Sequence, residues 1–295
     1  MIASAPGKVI LFGEHAVVYG RHAVVTAINR RCFAEVKKSE EFRIRSRIGA
    51  SGLDFKKHPY ISHAVKRFRE FGNVEGAEIT IDSEIPVGSG LGSSSAVTVS
   101  VLKALDAEFE GCLSDEDIFE VARNVELDVQ GKGSGTDPYI STYGGAWLIP
   151  DKKDFTIGGL QFVVVDSQQS SSTRKMVSRV ARLREEYSSV IDAVFDAIDN
   201  ISLSSVEYLQ NKDLNSLSRM IKFNQCMLSS MEVSTEIIDL LIQNLSRSGL
   251  TAKITGAGGG GCVVGIGGEK AIQRVLEEYS AFLLEPEMEG ARIEE

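Results

Sequence analysis

The residues with the clearest chemical potential form one run, Pro86-Val87-Gly88-Ser89-Gly90-Leu91-Gly92-Ser93-Ser94-Ser95-Ala96. A strand-like pattern precedes it and a helical one follows. Glycines at alternate positions let the backbone turn its N–H groups inward, and a helix N-terminus adds partial positive charge. Serine hydroxyls supply further donors, and one of them can ligate a metal. A phosphate cradle can be built this way without a basic patch. The run is not a Walker A loop, because no Lys-Ser/Thr follows the last glycine. Nor is it a GxGxxG turn, because Gly92 arrives one residue early. A plain capped turn with Ser93 as N-cap competes, but three glycines and three serines at one junction favour phosphate.

Carboxylates gather in Glu126-Leu127-Asp128-Val129-Gln130-Gly131-Lys132-Gly133-Ser134-Gly135-Thr136-Asp137-Pro138. Glu126 borders the apolar stripe of Ala122, Val125 and Val129, where a carboxylate needs a partner. Spacing alone favours Arg123 for that part, with Mg²⁺ as the alternative. Asp137, between a Ser-Gly-Thr turn and proline, suits an Asx turn. Lys8 lies between Pro6-Gly7 and the apolar run 9–12, a setting open to a directed role or to a solvated strand lysine. His15 follows Glu14 and has no second histidine at a ligand spacing. A hydrogen-bonded structural or substrate-contact role suits it better than metal. The stretch Lys253-Ile254-Thr255-Gly256-Ala257-Gly258-Gly259-Gly260-Gly261-Cys262 is almost bare backbone between apolar flanks. Ordering it is costly, so it suits close approach to a nucleotide or to the other glycine loop; a flexible hairpin tip fits equally well.

The elements that must position these residues follow from periodicity. Strands are expected at 8–12 and 23–36, a hairpin near 49–52 and a helix at 60–71. At 77–85, Ala77, Ile79, Ile81 and Ile85 alternate with Glu78, Thr80, Asp82 and Glu84, a half-buried strand. Val97, Val101, Leu105 and Phe109 mark a helix after the first glycine run. Ser114 with Asp117 signals another helix start. The polar turn 150–154 is the expected boundary between units 1–150 and 151–295. Beyond it come a strand at 160–165, helices over 174–248 broken near Asn200 and Lys212-Asp213, strands at 251–254 and 262–266, and a last helix at 269–282. Strands and helices in mixed order argue α+β rather than a doubly wound sheet.

Composition removes whole classes of function. With 32 Lys and Arg against 41 Asp and Glu, the chain carries a net charge of −9, wrong for nonspecific nucleic-acid or anionic-membrane binding. Any anion must be bound by a local site. Four cysteines, far apart and without a CxxC pair, exclude a zinc ribbon and argue for reduced thiols. No apolar run reaches the roughly 18–20 residues of a spanning helix, and the first residues lack a signal-peptide pattern. A cytoplasmic protein is expected.

The three glycine-bearing segments, in order and spacing from Pro6 to Cys262, resemble the motifs of the GHMP small-molecule kinases, which include galactose, homoserine, mevalonate and phosphomevalonate kinases. The segment through Gly13-Glu14-His15-Ala16-Val17-Val18-Tyr19-Gly20 is similar to the mevalonate-specific branch, in its compact archaeal or bacterial form. The resemblance implies a two-domain fold, with an N-terminal domain related to ribosomal protein S5 domain 2 and a ferredoxin-like C-terminal domain. It implies ATP with its phosphates on residues 86–96 and Mg²⁺ held by Ser94 and Glu126. Asp137 would stand beside the C5 hydroxyl of (R)-mevalonate, paired to Lys8; the products would be 5-phosphomevalonate and ADP. Glu14, His15, Thr173, Gly256 and Ala257 would face substrate. Longer members carry an arginine where this chain has Ser171, which leaves Arg174 and Lys175 as candidates for the substrate carboxylate. The resemblance leaves a homodimer open. A sibling kinase for phosphomevalonate or another small hydroxy acid is the alternative within the class. A catalytically inactive nucleotide and metabolite sensor is the alternative outside it, opposed by the presence of Lys8, Glu126 and Asp137.

Overall fold

A computed structural model describes residues 1–294 except 87, 132, 158 and 171. Val87, Lys132 and Ser171, named above, therefore lie outside the described residues.

The chain opens with β1 (Ile2–Phe12) and β2 (Ala23–Lys38), a long antiparallel pair, followed by the short hairpin β3 (Arg43–Ser46) and β4 (Gly49–Ser51). Helix α1 (Pro59–Phe68) leads to β5 (Ala77–Ser83). Helices α2 (Ser93–Glu108), α3 (Asp115–Gln130) and α4 (Thr136–Tyr143) come next, then the hairpin β6 (Ala146–Ile149) and β7 (Lys153–Phe155). The second half runs β8 (Phe162–Asp166), α5 (Thr173–Glu186), α6 (Ser188–Gln210), α7 (Leu214–Ser230) and α8 (Glu236–Arg247). It closes with β9 (Thr251–Ile254), β10 (Cys262–Ile266), α9 (Glu269–Glu278), β11 (Ala281–Leu284) and β12 (Arg292–Ile293).

Two sheets result. The larger has the order β12-β1-β2-β5-β3-β4, with β6 also on β2 and β7 on β6; the smaller is β11-β8-β10-β9, all antiparallel. The alternation read from 77–85 is realised: Ala77, Ile79, Ile81 and Ile85 are buried. The Ser114–Asp117 start is a full capping box, each side chain bonded to the other's backbone N–H at 3.2 and 2.9 Å. Its capped helix carries Glu126. Pro6 sits inside β1, where a ladder donor is missing, and the register slips between Pro6 and Gly7. That bulge lies two residues before Lys8.

Several expectations change. Helix α6 passes through Asn200 unbroken, the expected break at Lys212-Asp213 is present, and further breaks fall at Tyr187 and at 231–235. The last helix stops at Glu278, because 281–284 pairs with β8 and takes Phe282 into a strand. Residues 136–143 form a helix that the turn-like Ser-Gly-Thr-Asp-Pro start conceals. Proline is at home in a first helical turn. Ser93 is not the N-cap: Gly92, at φ +74°, holds that place. Of the polar segment 150–154, residues 150–152 form the turn of the β6–β7 hairpin within the larger sheet and Lys153 and Asp154 open β7.

Residues 286–294 return to the larger sheet as a strap. Arg31, 5% exposed, donates to the carbonyls of Gly290 (2.6 Å) and Glu289 (3.2 Å) and to Ser4 Oγ (2.8 Å). Ala291 N–H bonds the Thr142 carbonyl at the end of α4. The strap thus grips β1 and α4, the two elements that bear Lys8 and Asp137. Arg31→Met would orphan two carbonyls in this seam and is expected to destabilise by about 2–4 kcal/mol. Urea unfolding measures it, with early proteolysis after residue 284 as the accompanying sign; unchanged stability would deny the strap its role.

Candidate active site

Lys8 is the centre of the site. Its N–H donates to the Leu91 carbonyl at 2.9 Å, so β1 runs beneath the first glycine loop. A Cβ on Gly92 would stand 2.7 Å from Lys8 Cγ, which is why glycine alone fits there. Helix α2 therefore begins directly over the lysine stem. Its first intrahelical acceptor is Gly92, bonded by Ala96 N–H at 3.0 Å. The N–H groups of Ser93, Ser94 and Ser95 precede that bond and have no intrahelical partner, the arrangement that attracts anions. Ser89 turns its hydroxyl inward to the Pro86 carbonyl at 2.7 Å and stabilises the loop.

Lys8 Nζ lies 3.1 Å from Asp137 Oδ1, with side-chain exposures of 5% and 28%. Asp137 stands in the first turn of α4, where the helix dipole favours its negative charge. Glu126 comes from one turn before the end of α3. It does not pair with Arg123, which reaches Glu120 instead at 3.4 Å. Its Oε2 accepts the Gly135 N–H at 3.3 Å. Burial, and then the Asp137 carboxylate beside it, pushes the Glu126 carboxyl up to about 7; Gly135, Lys8 and Arg123 act in the opposite sense. Two carboxylates and one ammonium thus share a cleft under a helix N-terminus.

The second half of the chain completes the wall. A Cβ on Gly256 would lie 3.6 Å from Gly90 Cα, and one on Gly261 would lie 3.3 Å from the Ser89 carbonyl. The first and third glycine loops meet backbone to backbone, so the flexible-tip reading fails. His15 adopts a left-handed conformation (φ +62°) and bonds the Ala257 carbonyl through Nε2 at 2.9 Å. A carbonyl only accepts, so Nε2 bears the proton. Burial holds the ring's pKa below its usual value, with the Ala257 bond raising it less, so the imidazole is neutral and Nδ1 is an acceptor. Thr173 is the exposed first residue of α5. Its neighbour Arg174 donates to the Gln130 carbonyl at 3.3 Å, bringing α5 to the end of α3.

Glu14 is the exception among the expected substrate contacts. It is 1% exposed and paired with Lys253, itself fully buried. Its carboxylate is enclosed in the protein. Lys253 has no assigned role in the third glycine segment. Its signal was a lysine in an otherwise apolar strand. Asn224 and Gln225, which join the same cluster from α7, gave no sequence signal at all.

Among the described residues no group of three or more His, Cys, Asp or Glu is placed to hold a metal, and no helix is long and apolar enough to cross a membrane. Mg²⁺ does not need such a group, since it binds through one or two carboxylates with substrate phosphates and water. A half-buried carboxylate near a serine-rich helix N-terminus fits that donor set.

Comparison with known proteins shows the family of the chain. Residues 59–145 match the GHMP kinases N terminal domain, and residues 205–284 match the GHMP kinases C terminal family. The chain is 54% identical over 296 residues to a mevalonate kinase of Archaeoglobus fulgidus, with 100% of both chains covered. Among solved structures it resembles the Methanococcus jannaschii mevalonate kinase, at TM-score 0.83 and 29% identity over 100% of this chain and 98% of that one. It likewise resembles the L. major mevalonate kinase in complex with R-mevalonate, at TM-score 0.82 and 25% identity over 96% and 95%.

The raised Glu126 pKa has a consequence for stability. From its ordinary 4.5 to about 7, the folded state binds the proton more tightly than the unfolded state. Stability is therefore lost as pH rises between those values, by roughly 3 kcal/mol. Without metal or nucleotide, Glu126→Gln is expected to melt above the wild type at pH 8, with the gap closing towards pH 4.5. Thermal scans across that range check it, and equal melting temperatures at pH 8 count against it.

Proposed function

This chain belongs to the GHMP kinases, and from that premise we propose that it transfers the γ-phosphoryl group of ATP to the C5 hydroxyl of (R)-mevalonate, yielding 5-phosphomevalonate and ADP. The observation that carries this reading is the Lys8–Asp137 ion pair, held at 3.1 Å directly beneath the N-terminus of α2. Whole-length similarity to mevalonate kinases supports the acceptor.

Phosphoryl transfer asks a protein for alignment and charge stabilisation more than for covalent chemistry. The free amides of Ser93–Ser95 and the turns of Gly88, Gly90 and Gly92 take the phosphate tail. Leu91 and Ala96 complete this cradle as a buried anchor and the first hydrogen-bonded residue of the helix. Ser94 and Glu126 would hold Mg²⁺, which when bound neutralises charge on the β- and γ-phosphates and settles Glu126 as a carboxylate. Asp137 Oδ accepts the proton of the C5 hydroxyl as the new P–O bond forms, and Lys8 Nζ stabilises the charge developing on that oxygen. His15 and Thr173 line the acceptor side, and Gly256 and Ala257 close the wall between acceptor and phosphate.

The chain divides between units 1–150 and 151–295 in this reading. The first contributes Lys8, the cradle, Glu126 and Asp137, and the second contributes the third glycine loop. The four cysteines are all unpaired, Cys32 and Cys262 among them buried, which suits a reducing, cytoplasmic setting.

The purified protein with ATP and Mg²⁺ is expected to release ADP with (R)-mevalonate and to leave phosphomevalonate, galactose and homoserine nearly untouched. Turnover of another alcohol but not mevalonate would remove the acceptor assignment. Asp137→Asn should lower kcat about a thousandfold or more while ATP affinity stays within about threefold, because the lost interaction belongs to the transition state. Near-normal turnover in that variant would refute the mechanism.

A further inference from the structure

Lys253 is among the largest fully buried side chains of the protein. It lines a small apolar cavity together with Leu11, Phe12, Leu217 and Ile221, and its Nζ donates to Glu14 Oε1 and to the Ile254 carbonyl at 2.6 Å. Glu14 Oε2 accepts from Asn224 Nδ2 at 3.2 Å, and Asn224 Oδ1 is buried without a protein partner. On the next residue of α7, Gln225 Oε1 accepts the Ile254 N–H at 2.9 Å.

Stripping water from two charges costs several kcal/mol for each, so such a pair adds little net stability. What it supplies here is register. Residues 10–15 and 253–257 come from opposite ends of the chain and meet through three separate contacts. Glu14 holds Lys253, Thr255 Oγ1 donates to the Ile10 carbonyl at 3.1 Å, and His15 Nε2 donates to the Ala257 carbonyl. Immediately beyond Thr255, Gly256 touches Gly90. A shift of β9 by one residue would reverse the direction of Lys253 and carry bulk into that contact.

We propose that Glu14 and Lys253 are positioning residues: their buried ion pair sets the third glycine loop against the first and so shapes the nucleotide cradle, without touching either substrate. This rests on the phosphotransfer reading for its kinetic consequences, but its structural consequence can be read with nucleotide alone.

The test is the double variant Glu14→Gln/Lys253→Met, which removes both charges at nearly constant volume. It is expected to melt within about 5 °C of the wild type, as paired replacement of a buried ion pair commonly allows. Amide hydrogen exchange over 255–261 should accelerate at least about tenfold while that of α2 is unchanged. The Kd for ATP with Mg²⁺, measured without acceptor, should rise about tenfold, and the KM for the acceptor should stay within about twofold. Wild-type exchange over 255–261 together with wild-type ATP affinity would overturn the proposal. So would a rise confined to the acceptor KM, which would put Glu14 back on substrate. If the double variant does not fold, Glu14→Asp keeps both charges and shortens the bridge by one methylene. It should show the same two shifts in smaller degree, and their absence would be equally adverse. Because exchange and ATP binding need no acceptor, a wrong acceptor assignment would appear only in the turnover panel.

Discussion

Two carboxylates and one ammonium share a cleft that water reaches only in part, and the rest of the site answers to that imbalance. Lys8 offers a single positive charge to both Asp137 and Glu126, and the nearer Asp137 takes it. Glu126 is left buried with one backbone N–H and a like charge beside it, and its burial first, then that charge, account for its raised pKa. A protein with a net charge of −9 would repel a triphosphate at long range. The cleft overcomes this locally, with the unpaired amides of a helix N-terminus above a buried lysine.

Those charges act together only because four remote segments converge, and the convergence is achieved mainly by main chain. Gly92 lets α2 begin against the Lys8 stem, and Gly256 lets β9 end against Gly90. A side chain at Gly92 would collide with the Lys8 stem, and one at Gly256 would have to adopt a strained left-handed backbone. Rigid support lies behind each approach: the bulged β1 under Lys8, the capping box that starts α3, and the terminal strap behind α4. The mobile parts of the sequence, by composition, are thus ordered parts of the fold. Their conformational entropy is offset by contacts made from both sheets.

The sequence was most legible where chemistry restricts residue choice. The loop 86–96 stands out because few other uses require alternating glycine and serine, whereas Glu126, Asp137 and Lys8 each admit an ordinary structural use on local pattern and gain a role only through the family resemblance. The strand at 77–85 and the helix start at Ser114 were equally clear, since period and cap are local properties. Other features depend on contacts across the chain. Helix α4 begins with residues that read as a turn, and only its packing against β1 and α3 decides for helix. Phe282 continues a helical pattern until pairing with Val164 claims it for a sheet. Arg123 was the obvious partner of Glu126 on spacing, yet Glu120 holds it, and burial leaves Glu126 facing Gly135 and Asp137. The partner of Glu14 lies 239 residues away, beyond any reading of local pattern.

The reacting groups themselves say little about which alcohol enters. Lys8 and Asp137 address one hydroxyl, the glycine cradle addresses phosphate, and neither depends on what lies beyond that hydroxyl. A shared fold therefore carries the transfer chemistry while acceptor choice resides elsewhere. Under the proposed reading the far wall would be formed by His15, whose Nδ1 is left as an acceptor, and by the start of α5, where Thr173 and Arg174 stand exposed. Discrimination among acceptors would then follow from whether a candidate can satisfy a ring nitrogen and a guanidinium at once. Leaving such groups unpaired in the closed complex disfavours the wrong alcohol more strongly than missing bulk would.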